Sequence, residues 1–246
     1  MIVFFCENSV NGFFSAVYHA YYSKKKPDII TSASEYQPTF TTEIIKISTD
    51  EVLALKVKNA VVKYTGFTSE VRAIETVLLN SSPLKETICY NYLKLIFNKK
   101  TRVDTMLDEV AVIEFNDLKK QVELERHRFT GMLRFLETEN GVLYAYYEPD
   151  HDITKILSTH FISRYNGLPF IIHDVKRNFL CLYDGKKARY FTPEKPLSIY
   201  LSSGEENMQR LWKNYFNSVN IKERPHKKQQ DNYLPRRYRK NMCEFL

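Results

Sequence analysis

Gly131-Met-Leu-Arg-Phe-Leu-Glu137 and Val142-Leu-Tyr-Ala-Tyr-Tyr-Glu148, joined by Glu139-Asn140-Gly141, decide the reading of the fold. Two apolar runs of strand length on either side of a turn triplet containing Asn-Gly predict a β-hairpin. Downstream, Pro149-Asp150-His151-Asp152 leads into a run with Ile153, Ile156, Leu157, His160, Phe161 and Arg164 in helical register, which predicts a helix to Tyr165. Pro169 to Asp174, Phe179 to Tyr183 and Ala188 to Phe191 read as three further strands, the last two joined by an Asp184-Gly185 turn. The order is ββαβββ. An amphipathic helix from Glu205 to Val219 follows, carrying Met208, Leu211, Trp212, Tyr215 and Phe216.

Upstream the pattern differs. Residues 2–6 predict a short strand, and Asn11 is placed to cap a helix that runs through Phe13, Phe14, Val17 and Tyr21 until Lys24-Lys25-Lys26-Pro27. Ile29-Ile30 and residues 44–47 read as short strands. Four helices are then predicted, over residues 50–63, 69–79, 82–97 and 108–126, the third with Ser82 as cap and Pro83 in its first turn. The fold class is therefore α+β: a helical layer in the N-terminal half, the ββαβββ sheet unit, and a final amphipathic helix with a basic tail. Three regions follow, 1–126, 127–221 and 222–246, or one integrated domain.

With 246 residues, 43% of them hydrophobic, the chain can bury a large core without staples. No run approaches the roughly 18–20 apolar residues of a membrane span, and the first residues lack the basic and long apolar stretches of a secretory signal. The expectation is a cytoplasmic protein without membrane contact. Cys6, Cys89, Cys181 and Cys243 show no zinc-site spacing and are expected to be small buried hydrophobes. The net charge of +7 is local: residues 222–240 carry eight basic and two acidic side chains. In that segment Arg236-Arg237-Tyr238-Arg239-Lys240 combines guanidinium forks suited to phosphate with a ring able to stack on a base. Its plainer reading is a solvated tail, and Lys24-Lys25-Lys26 is read as a solvated loop.

Asp150 and His151, between a strand end and a helix start, are the sharpest catalytic candidates, with His160 and His173 as further acid/base or ligand groups. The competing reading makes Asp150 a turn residue, Asp152 the helix cap, His151 an exposed side chain and His160 a buried, hydrogen-bonded histidine. Arg128 and Arg134 flank or sit on the first hairpin strand near Phe129, Phe135, Tyr144 and Tyr146, where a sheet face could hold a nucleic-acid strand by charge and stacking. Core packing explains the same aromatics. No hydrolase elbow, Walker loop, dinucleotide fingerprint, zinc-protease motif or radical-enzyme cysteine spacing is present, and no metal or cofactor is expected.

Phe129-Thr-Gly-Met-Leu-Arg-Phe-Leu-Glu137, Pro149-Asp-His-Asp-Ile153, His160-Phe161, Arg164-Tyr165, Ile172-His-Asp174 and Leu234-Pro-Arg-Arg-Tyr-Arg-Lys-Asn241, with Asn11-Gly-Phe13 near the start, resemble a bacterial family. That family is a domain of unknown function labelled "probable DNA metabolism protein", which also occurs fused to uracil-DNA glycosylase-like domains. The resemblance implies DNA as a partner, in repair or modification, beside a radical S-adenosylmethionine protein. It assigns no catalytic residues. An enzyme acting on nucleic acid and a protein-interaction scaffold remain as alternatives.

Overall fold

A computed structural model describes residues 1–34, 36–219 and 227–245. The chain divides into two compact units, Met1–Glu123 and Leu124–Leu246.

In the first unit, β1 (Ile2–Cys6), β2 (Ile29–Thr31) and β3 (Glu43–Ile47) form a parallel sheet in the order β2-β1-β3. Helix α1 (Val10–Tyr22) connects β1 to β2, the crossover that parallel neighbours require. Its cap is Ser9, whose Oγ accepts the Gly12 amide at 2.9 Å, and not the expected Asn11. Ser9 has the extended backbone of a capping residue, whereas Asn11 already lies inside the first turn. Gly12 is required there, since a Cβ would stand 2.6 Å from the Glu7 carbonyl oxygen.

Helices α2 (Glu51–Thr65), α3 (Thr68–Val77) and α4 (Lys85–Lys99) follow. Asp50 caps α2 by accepting from the Val52 and Leu53 amides. The expected Ser82-Pro83 start of α4 falls one turn early. Asn80 accepts the Ser82 amide at 2.9 Å and Ser82 accepts from Leu84 at 3.3 Å, which makes a turn of that stretch, and the helix opens at Lys85. The core gathers Phe4, Phe13, Phe14, Ile30, Ile74, Tyr92 and Phe115, with Tyr92 and Phe115 stacked at 3.9 Å.

Helix α5 (Val110–Met132) is longer than its predicted end at residue 126 and absorbs the start of the expected first hairpin strand. Only Leu136–Glu137 remains as β4. Val122, Glu125, Phe129 and Met132 are all buried at helical spacing, so the apolar residues near 130 continue a helix face. An apolar run this short does not distinguish helix from strand by periodicity.

The rest of the second unit follows the ββαβββ order: β5 (Leu143–Tyr147), α6 (Thr154–Arg164), β6 (Phe170–Asp174), β7 (Phe179–Tyr183) and β8 (Ala188–Phe191). The sheet order is β4-β5-β6-β7-β8, with β5 and β6 parallel across α6 and the other pairs antiparallel. Gly141 and Gly185, at φ of 73° and 90°, make the two hairpin turns. Helix α7 (Glu205–Val219), α8 (Lys227–Tyr233) and 3-10 turns at Arg236–Asn241 and Cys243–Phe245 complete the described chain. Cys6, Cys89 and Cys181 are buried free thiols and Cys243 is half-buried; burial pushes the Cys6 thiol up to about 12, where it is inert. Among the described residues no helix is long and apolar enough to cross a membrane.

Candidate functional site

The loop between β5 and α6, residues 149–152, is fixed by side chains from three distant parts of the second unit. Glu125 on α5 is buried, and its Oε1 and Oε2 accept the backbone amides of Asp150 and His151 at 2.7 and 2.8 Å. Arg177, in the turn after β6, donates to the carbonyls of Pro149 at 3.1 Å and Asp150 at 2.6 Å. Its guanidinium also pairs with the fully buried Asp174 at 2.9 Å. Burial pushes the Asp174 carboxyl up and the Arg177 hydrogen bond opposes it. Asp152 is exposed and does not cap α6, which opens at Thr154 with no side-chain cap. Thr154 is instead tied to the Tyr147 hydroxyl at 2.9 Å.

Tyr238 completes this cluster. Its ring packs on Phe129 with centroids 4.7 Å apart, and Phe129 packs edge-on against Tyr147. The Tyr238 hydroxyl lies 2.5 Å from Glu125 Oε1 and 3.0 Å from Asp150 Oδ2. A phenol has one proton, so the shorter partner, Glu125, takes it. Asp150 is satisfied by Arg237, whose Nη2 lies 2.6 Å from the same Oδ2 and also reaches the Tyr238 hydroxyl at 3.1 Å. His151 is buried beside these carboxylates. Burial lowers its pKa, while Glu125 and Asp150 pull it back up.

The basic C-terminal segment is thus no free tail over its described part. Tyr238 and Met242 are buried anchors. Arg236 and Arg239 both pair with Asp231, at 2.9 and 2.6 Å, and Lys240 pairs with Glu148 at 2.5 Å. Arg239 also donates to the Leu234 carbonyl, which turns it inward. Lys222 and Arg224 lie outside the described residues.

Arg128 and Arg134 are not strand residues. Arg128 lies on α5 and donates to the Asn232 carbonyl at 2.8 Å. Arg134 follows that helix, pairs with Glu244 at 2.6 Å and covers the Trp212 ring. Phe129 and Phe135 are packing residues, Phe135 meeting Phe161, Tyr165 and Phe170.

The three histidines do not share a site. Tyr147, Asp174, Cys181 and Tyr190 occupy one sheet face by register, and α6 lies on that face through its Thr154 and Ser158 hydroxyls, which bond Tyr147 and Tyr190. His173 pairs with Tyr146 and Leu180 and belongs to the opposite face, where its Nδ1 meets the Tyr144 hydroxyl at 2.8 Å. Burial lowers its pKa. His160, on α6, packs edge-on against Phe161. Among the described residues no group of three or more His, Cys, Asp or Glu side chains is placed to hold a metal ion.

Glu125, Asp174 and Arg177 bring together what the motif reading kept apart. The one local signal for Glu125 was a charged residue three positions after Val122 and four before Phe129, inside an apolar helix stripe. The acidic partners Glu148 and Asp231 carried no such signal.

A family model described as a domain of unknown function (DUF4130) matches residues 83–244. The match takes in Glu125, the 149–152 loop, Arg177 and the docked segment as far as Glu244. No curated protein matches the chain.

Proposed function

We propose that this chain, which belongs to the DUF4130 family of unknown function, is a nucleic-acid-binding accessory protein of DNA repair or modification that contacts DNA through its docked C-terminal segment. The observation that carries the reading is the anchoring of that segment by Tyr238. It leaves the side chains of Arg236, Arg237 and Lys240 75%, 58% and 53% exposed at fixed positions. Lys227 and Lys228 add exposed charge on α8. Cations held on a docked segment lose less conformational freedom on meeting phosphate than cations on a loose tail. Their present partners are surface carboxylates. The Arg236–Asp231 and Lys240–Glu148 pairs are open to solvent and screened by it, so exchanging them for phosphate oxygens costs little. The cellular context, DNA repair or modification beside a radical S-adenosylmethionine partner, comes from the sequence resemblance.

The test is binding of the full chain to labelled duplex and single-stranded DNA across a salt series, beside an Arg236→Ala/Arg237→Ala/Lys240→Ala variant. Arg239 is left intact because it holds Asp231 and the Leu234 carbonyl. The wild type should lose affinity with salt at a log-log slope of roughly −0.9 per phosphate contacted on duplex, and the variant should flatten it by up to about 3. Absence of salt-dependent binding by the wild type would remove the reading.

A second reading, an enzyme acting on nucleic acid, draws on one observation. His151 is buried next to Glu125 and Asp150, and burial lowers its pKa, which favours the neutral ring that a general base requires. Under that reading His151→Ala abolishes turnover of a DNA substrate while binding is unchanged.

A further inference from the structure

The first unit contains a cleft that the reading above does not use. Tyr18, Tyr21 and Tyr22 at the end of α1, Tyr64 at the end of α2 and Phe97 on α4 surround a cavity of about 370 Å³ floored by Val17, Val57 and Ala60. Its rings are arranged as a set. Tyr18 and Tyr22 lie 4.6 Å apart, and Phe97 meets Tyr21 and Tyr64 edge-on at 5.8 and 6.0 Å. Yet Tyr21 and Tyr22 remain 58% and 71% exposed, so much of their ring surface is turned to solvent. Ordinary core packing hides such surface, because aromatic rings carry the largest hydrophobic gain on burial.

The charge that lines the cleft is positive, and among the described residues Lys25 alone of the neighbouring lysine run is ion-paired, with Glu43 at 2.5 Å. Lys56 is the only ionised side chain among the described residues that line the cleft, and its Nζ stands 5.8 Å from the Tyr18 centroid. Lys26 lies over the Tyr21 ring at 5.7 Å and donates to the Ala20 and Tyr21 carbonyls, which fixes the lysine run beside the last turn of α1. Lys24 is exposed in that run, and Lys63, two helical turns after Lys56, lies on the same side of α2. A cage for a cationic ligand would have carboxylates here. A flat, apolar-faced ligand that carries negative charge fits rings flanked by ammonium groups, and a nucleotide is that ligand.

We propose that this Tyr18/Tyr21/Tyr22/Tyr64/Phe97 cleft takes an unstacked base of single-stranded DNA, with Lys24, Lys26 and Lys56 on the adjoining phosphates. A base within a duplex has both faces covered by its neighbours and cannot enter, so the cleft selects a single strand. The proposal rests on nucleic acid being this protein's ligand and names the form of it that the first unit recognises.

The experiment compares the full-length wild type, Tyr21→Ala/Tyr22→Ala and Tyr21→Phe/Tyr22→Phe. Each is titrated into a fluorescein-labelled oligo-dT of about 15 nucleotides and into a hairpin duplex. The alanine variant should bind oligo-dT roughly 5- to 150-fold more weakly, the equivalent of about 1–3 kcal/mol of stacking per base. The phenylalanine variant should bind like the wild type, and duplex binding should be unchanged in both. A 5-iodouracil-substituted strand should photocrosslink to Tyr21 or Tyr22 in the wild type, a readout that does not depend on how well the variants fold. If the alanine variant binds oligo-dT as the wild type does, or crosslinks fall only outside the cleft, the inference is overturned. The C-terminal reading then still stands on its own variant. If the wild type binds neither form, both fall together.

Discussion

Glu125 is a buried carboxylate with three donors, the amides of Asp150 and His151 and the hydroxyl of Tyr238. Removing the Tyr238 hydroxyl leaves a buried acceptor short of one partner. Tyr238→Phe should therefore cost about 1–3 kcal/mol of stability in chemical denaturation, and Glu125→Ala should cost more because it orphans all three donors. Equal stability of Tyr238→Phe and wild type would show that the segment does not dock through this hydroxyl. Protonation adds a second handle. Burial lowers the pKa of both His151 and His173 from 6.5, so the unfolded chain takes up protons first as pH falls. The stability that depends on their neutral forms is whole above pH 6.5 and drains as pH falls through their lowered folded-state values. Asp174, whose pKa is raised by burial, works in the opposite direction. The thermal midpoint should drop as pH falls below about 6.5, and His151→Gln/His173→Gln should make that drop shallower.

The helices of the second unit differ in what they bury. Leu157 on α6 is fully buried against the sheet, whereas Met208, Leu211, Tyr215 and Val219 on α7 are exposed despite the helix's amphipathic pattern. Leu157→Ala should cost about 2–5 kcal/mol, and Leu211→Ala should stay within about 0.5 kcal/mol, as measured by urea unfolding of the full chain. A large loss from Leu211→Ala would mean that α7 packs more tightly than its exposure indicates. The pattern of apolar residues made α6, α7 and strands β6 to β8 legible, because each has a clear period and clear stops. It misassigned residues 131–135, where α5 runs on to Met132 and a short loop follows, because four or five apolar positions satisfy a strand and a helix face equally. The cap of α1 was displaced by two residues for a similar reason: Ser9 and Asn11 have the same capping chemistry, and only the backbone conformation chooses between them.

At the scale of the whole molecule, the division after Glu123 falls inside α5 and leaves Glu125 with the second unit. A fragment beginning at Leu124 keeps the acceptor for the 149–152 loop and for Tyr238. One beginning at Arg128 loses it, and should unfold at a lower temperature and less cooperatively by circular dichroism. Indistinguishable melts would mean that Glu125 does not hold the loop. Composition and periodicity alone determined an α+β chain with a helical N-terminal half, a ββαβββ unit and a local positive charge, since these depend on residue types and on neighbours within a few positions. Only the tertiary structure decided that the basic segment is docked, that its arginines already have carboxylate partners, and that the three histidines lie apart. Those outcomes depend on pairs such as Glu125 with Tyr238 and Arg134 with Glu244, which are more than a hundred residues apart in the chain. No local period encodes such pairs, and the burial that makes them strong exists only once the sheet and helices have closed around them.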